Sequence, residues 1–190
     1  MNKSHRLLAP TTALFLAGCS GGPTDFTQEY REALAARPGI SLTPQSARAA
    51  VGGFAGLYGD LSVSNVTANV RKVYAPEAWF NDTIATEAGI DAIEKYLLKT
   101  AEGAEKVSAQ INDVAVSGSD CYVRWTMEIR TKNLAGGKPI ITEGISQLRF
   151  DQEGRVILHQ DFWNPATGIY QHLPLLGPAI RFVNGLIVGK

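Results

Sequence analysis

The sequence predicts an α+β domain, a cone-shaped curved antiparallel sheet wrapped around helices that come first in the chain. Three observations predict it. Three helical segments are read between Pro44 and Thr100. Four runs of strand character, 105–116, 120–132, 139–151 and 155–163, then follow without a helix between them. They are separated by Ser117-Gly118-Ser119-Asp120, Ala135-Gly136-Gly137-Lys138 and Asp151-Gln152-Glu153-Gly154, turn signals short enough to join antiparallel neighbours. Helices segregated to one side of such a sheet make a two-layer domain, and strong curvature turns the sheet into a cone with a pocket at its open end.

The elements follow in order. Lys3, His5 and Arg6 make a basic start, and Leu7 to Ala17 is an apolar run too short to span a bilayer. Leu16-Ala17-Gly18-Cys19 then places small residues before a cysteine, the pattern of a bacterial lipoprotein signal. The expectation is a signal peptide over 1–18, lipidation at Cys19, a tether over 19–42 with room for a short helix at Gln28–Ala36, and a folded domain over 43–190. Ser20, standing where an aspartate would retain a lipoprotein in the inner membrane, resembles outer-membrane sorting, so the domain is expected in the cell envelope facing the periplasm.

Thr43 suits an N-cap and Pro44 the first helical position. From there Ala47, Val51, Phe54, Leu57, Tyr58 and Leu61 recur at three-to-four spacing, which predicts a helix over Pro44–Leu61. A second helix is expected from Ser64-Asn65 to Arg71, a short strand pair around 74–86, and a third helix from Gly89 to Thr100 with Ile90, Ile93, Tyr96 and Leu97 on one face. Beyond the last strand, the apolar tail with Leu175, Leu176, Ile180, Phe182, Val183 and Leu186 is expected to pack on the domain or on a partner.

Composition narrows the function classes. Lys+Arg and Asp+Glu both number 18, so the chain has no long-range attraction for nucleic acid. The 45 % of apolar residues suffices for an ordinary core. Cys121 is the only cysteine left once Cys19 is assigned to the signal, and it reads as a small buried hydrophobe. Three scattered histidines give no metal spacing. Val51-Gly52-Gly53-Phe54-Ala55-Gly56 lies in a helical pattern and lacks the lysine of a phosphate loop, and no nucleophile elbow is present. No cofactor or metal is implied.

A series of segments carries a family resemblance: Trp79-Phe80-Asn81-Asp82-Thr83, Gly89-Ile90-Asp91-Ala92-Ile93, Trp125-Thr126-Met127, Gly144-Ile145-Ser146, Phe150-Asp151 and His159-Gln160-Asp161-Phe162-Trp163-Asn164. In order and spacing they resemble the SnoaL-like branch of the nuclear transport factor 2-like superfamily over about residues 45–183. The resemblance implies the cone-shaped fold and frequent homodimers. It implies no single chemistry, because the fold hosts isomerases, cyclases, epoxide hydrolases, dehydratases and binders without catalysis.

The candidate site residues follow from strand alternation. One face of the strands should carry Trp125 and Met127, then Gly144, Ser146, Leu148 and Phe150, then Ile157, His159, Asp161 and Trp163, and this face should line the cone. Asp161 among tryptophans would be desolvated, the setting of a general acid or base that works near neutral pH. The alternative is a structural carboxylate bonded to backbone N–H groups or to Arg155 or Arg124. The resemblance implies the base role for a strand-borne aspartate so placed, and Asn164 stands where a second aspartate is expected from it. Asp82 is the second candidate acid, with Asn81 as a donor to a developing oxyanion, set against a turn that Asn81 and Asp82 merely cap. His159 is the candidate that orients Asp161. Trp79, Asn81, Trp125, Met127, Ser146 and Trp163 complete the expected ligand-binding set. The function expected is an envelope lipoprotein whose pocket binds a small apolar or amphipathic molecule. The alternatives are an isomerase or hydrolase that uses Asp161, and a protein-interaction or dimerisation module.

Overall fold

The computed structural model describes residues 26–132, 134–174 and 176–189. The expected signal peptide and Cys19 lie outside the described residues. Three helices, α1 (Phe26–Ala36), α2 (Pro44–Tyr58) and α3 (Val63–Val73), precede strand β1 (Tyr74–Asn81). Strand β2 (Thr86–Ala88) and helix α4 (Ile90–Gly103) follow, then β3 (Lys106–Ser117), β4 (Asp120–Arg130), β5 (Ile140–Phe150) and β6 (Val156–Trp163). A short helix α5 (Pro165–Gly168), a 3₁₀ turn over Tyr170–His172 and a last helix α6 (Leu176–Val188) close the chain.

Local chemistry sets these limits. Thr43 caps α2 in a reciprocal capping box with Ser46, and Pro44 follows it. Ser62 caps α3, two residues before the expected start. Asn164 caps α5 by accepting from Ala166 and Thr167 N–H, which is the work this position does in place of an aspartate's.

The strand order is β2-β1-β6-β5-β4-β3. The four long strands form the expected antiparallel meander. The sheet as a whole is mixed, which corrects the purely antiparallel expectation: β1 lies parallel to β6. The chain reaches β6 from β1 only after β2, α4 and three strands, and so long a crossover permits parallel pairing.

Helices α2, α3 and α4 fill the concave side. Phe54, Leu57, Val66, Val70, Ile93 and Leu97 meet Trp125, Leu148 and Phe150 in one core, where each fully buried Leu or Phe contributes roughly 2 kcal/mol. Cys121 is fully buried there, and burial pushes its thiol up to about 11, so it stays protonated and unreactive.

The segment expected to be a tether is, from Phe26 on, part of the packed structure. Helix α1 docks on the convex side, where Ala33 meets Trp79 and Leu158. Arg149 fastens it: its Nη1 donates to the carbonyls of Leu34 and Arg37, both at 2.8 Å, while its other nitrogens hold Asp120. Residue Ile157 also departs from expectation. The β5–β6 register shifts there, with Phe150 opposite Val156 and Arg149 opposite Leu158. Val156 enters the core instead, while Ile157 lines an outer groove beside Ala36 and Arg37.

Helix α6 packs chiefly against the Tyr170–His172 turn. Phe182, Leu186 and Ile187 stay 67 %, 67 % and 78 % exposed, so of the expected packing on the domain or on a partner, the domain provides little. No helix among the described residues is long and apolar enough to cross a membrane.

Candidate functional site

The open end of the cone holds a cavity of about 290 Å³ between α4, the sheet and the segment after β6. Its wall is mostly hydrocarbon and aromatic, from Leu61, Phe80, Leu97, Trp125, Met127 and Trp163 among others. A crevice of about 10 Å³ continues inward to Ser146, His159 and Asp161.

Strand alternation delivers the polar groups. His159 and Asp161 stand two apart on β6, and Ser146 lies opposite Asp161 on β5, so all three project to the concave face. Ser146 Oγ donates to Asp161 Oδ1 at 2.5 Å and accepts from Trp125 Nε1 at 2.9 Å. His159 Nε2 lies 2.7 Å from the same Asp161 oxygen. The other ring nitrogen, Nδ1, lies 2.6 Å from the hydroxyl of Tyr74, which in turn lies 2.7 Å from that of Tyr58.

The count of donors assigns the protons. With His159 neutral, Nε2–H donates to Asp161, Tyr74 donates to Nδ1 and Tyr58 donates to Tyr74, and no buried donor is left over. Burial, and then the negative field of neighbouring groups including Asp161, holds both phenols well above their ordinary value of 10.0, so both keep their protons. The rings of Phe54, Phe80 and Tyr58 stand edge-on to the imidazole with centroids at 5.2, 5.0 and 5.6 Å, and His159 is sealed from water. Asp161 is therefore fixed through one oxygen only. Among the described residues no hydrogen bond reaches Oδ2, and the residue forms part of the cavity wall.

Trp125 lies across β5 because position 144 is glycine. A Cβ there would stand 2.5 Å from Trp125 Cη2 and 2.9 Å from Trp163 Cβ, so only a residue without a side chain lets the two indoles form this wall.

Asp82 also reaches the cavity wall, yet its oxygens are occupied. Oδ1 accepts from Ile84 and Ala85 N–H, and Oδ2 from the Tyr96 hydroxyl. These bonds, with Asn81 Oδ1 accepting from Thr83 N–H, hold Thr83 at a φ of 72°, a conformation a non-glycine residue keeps only when its surroundings impose it. Trp163 Nε1 donates to the Asp82 carbonyl and ties this turn to the end of β6.

Of the expected site residues, Asp161, His159, Ser146, Trp125, Met127 and Trp163 come together at the cavity and its crevice, with Asp82 at the wall. Trp79 and Asn81 do not. On β1 the concave face takes Tyr74, Ala78 and Phe80, so the intervening positions point outward. Trp79 is buried beneath α1, its ring 6.4 Å from that of Tyr30. Asn81 accepts from Gln160 and donates to Thr86, out of reach of the cavity. The role expected of Asn81 as an oxyanion donor and that of Trp79 as a ligand contact are both corrected. Sequence reasoning missed Tyr58, Tyr74, Phe80 and Tyr96. The signal for Phe80 was its even spacing from Tyr74 and Ala78 along β1.

A six-stranded curved sheet, closed by helices over an internal cavity, defines a class, the nuclear transport factor 2-like proteins. Within it this chain belongs to the SnoaL-like domain family, whose match over residues 60–159 spans more than half of the sequence. No curated protein matches it. Solved structures of the same fold include TsrD from Streptomyces laurentii, 20 % identical, TM-score 0.56, over 71 % of this chain and 99 % of that one. A hypothetical protein with a ketosteroid isomerase-like fold from Catenulispora acidiphila DSM 44928, in complex with trimethylamine, is 19 % identical with a TM-score of 0.57 over 70 % and 96 %. An LEH-like epoxide hydrolase from M. tuberculosis is 14 % identical with a TM-score of 0.54 over 77 % and 98 %. At these identities the likeness shows the fold alone.

Proposed function

We propose that this protein binds a small, largely apolar molecule in the cavity, with Asp161 as its polar anchor. The observation that carries this reading is the asymmetry of Asp161. Two donors, Ser146 and His159, fix one carboxylate oxygen, the other has no hydrogen-bond partner among the described residues, and Asp161 lines an apolar space of about 290 Å³. Pockets of this kind combine a greasy wall with one or two placed polar groups. Native mass spectrometry of the protein purified from its host would carry the ligand as a defined added mass, and Asp161→Asn would lose that mass while keeping its fold. A wild-type spectrum without added mass, together with no quenching of Trp125 and Trp163 fluorescence by any small apolar compound, would sink the reading.

A specific observation favours a second reading, acid–base chemistry on the bound molecule. Asp161 is held by His159, itself bonded to Tyr74 and Tyr58 in an unbroken chain of hydrogen bonds, so its second oxygen could take a proton while the chain keeps the carboxyl oriented. Asp161-dependent deuterium exchange into a small ketone in D₂O would distinguish turnover from binding.

The N-terminal run that ends at Cys19 supports a lipoprotein of the cell envelope, anchored in the outer membrane and facing the periplasm. Labelled palmitate should enter the wild-type chain and not the Cys19→Ala variant. Equal labelling of the two would exclude Cys19 as the anchor.

A further inference from the structure

We propose that the molecule this cavity selects is a small amine in its ammonium form, its nitrogen on Asp161 and its apolar body against the hydrocarbon wall. The inference rests on the reading that the cavity holds a ligand, and it goes further by naming that ligand's charge.

Both groups that fix Asp161 are neutral when every donor in the chain is satisfied, so nothing in the network cancels its charge. The arginines of β5 and of the turn before β6 are engaged elsewhere, Arg149 with Asp120 and Arg155 with Asp151. A second carboxylate, Asp82, stands on the same wall, whereas the one cation of the lining among the described residues, Lys99, is exposed. Two carboxylates on the wall make the deep end of the cavity electronegative. A buried carboxylate without a counter-charge is costly, and a cation that enters the cavity removes the cost.

The wall itself also favours a cation. Tyr58, Phe80, Tyr96, Trp125 and Trp163 line the cavity with this acid, and aromatic rings attract a cation that has left water. An anionic ligand finds two carboxylates and no guanidinium here. A neutral alcohol gains one hydrogen bond and no charge attraction.

Calorimetry with the full chain and three probes of one shape, phenethylamine, phenethyl alcohol and 3-phenylpropanoate, tests this. The amine should bind at least roughly tenfold tighter than the alcohol, and the carboxylate should bind weakest. In Asp161→Asn the amine should lose its advantage over the alcohol, the two then binding alike. Equal binding of amine and alcohol to the wild type would overturn the ammonium assignment and leave a ligand pocket standing. Binding of none of the three would overturn both. The wild-type ranking decides the matter even if Asp161→Asn fails to fold.

Discussion

His159 is completely buried, yet both of its ring nitrogens are bonded, one to a carboxylate and one to a phenol. A buried imidazole with either nitrogen orphaned would be destabilising by about 1–3 kcal/mol. Tyr74→Phe removes the hydroxyl between His159 and Tyr58 and leaves both without that partner. Urea unfolding at neutral pH should show a loss of about 1–3 kcal/mol, with the cavity still formed. An unchanged midpoint would mean that the hydroxyl is not bonded. His159, Asp161 and Ser146 could be placed together from sequence, because residues two apart on a strand share a face and Ser146 follows from the alternation of the neighbouring strand. Tyr74 and Tyr58 could not. They lie 85 and 101 positions before His159, one on β1 and one on α2, and nothing in linear spacing brings a helix hydroxyl to a strand imidazole.

Among the elements, β5 shows how one residue shapes the site. Gly144 leaves room for the Trp125 ring, and the added methyl of Gly144→Ala would overlap it. Such overpacking costs typically about 1–3 kcal/mol. Gly144→Ala is therefore expected to lower the thermal midpoint and to shift Trp125 emission as the indole is displaced into the cavity. Unaltered emission would show that the wall does not depend on this glycine. Strand β6 explains why alternation was harder to read. Residues 156–161 are all buried, since α1 covers the convex side while the core covers the concave one. A strand buried on both faces loses the polar–apolar alternation that would mark its inner side. The same cover misled the reading of Trp79, which is apolar because it lies under α1 and not because it faces a ligand.

For the molecule as a whole, the Arg149–Asp120 pair joins α1, β4 and β5. The pair is mostly buried, its side chains 15 % and 20 % exposed. Burial alone would raise the Asp120 carboxyl, but the hydrogen bonds from Arg149 and Gln147 outweigh it and hold the group below its ordinary 3.8. A carboxyl depressed in the folded state contributes stability above its unfolded pKa, and loses it as pH falls through the lower folded value. Asp120→Asn should thus lower the thermal midpoint at pH 7, and its deficit against wild type should shrink in acid once Asp120 is protonated in both states. A deficit of the same size at every pH would assign the loss to packing instead of charge. From sequence alone came the α+β class, the meander of four strands, the capped start of α2 and the inward set around Asp161, because each is carried by local periodicity and turn chemistry. Only the tertiary structure decided that β1 runs parallel to β6, that the chain from Phe26 onward is docked, and that Asp161, bonded through one oxygen among the described residues, lines a cavity. These depend on contacts between residues far apart in the chain, and helix and strand periods carry no record of which distant surface will cover which face.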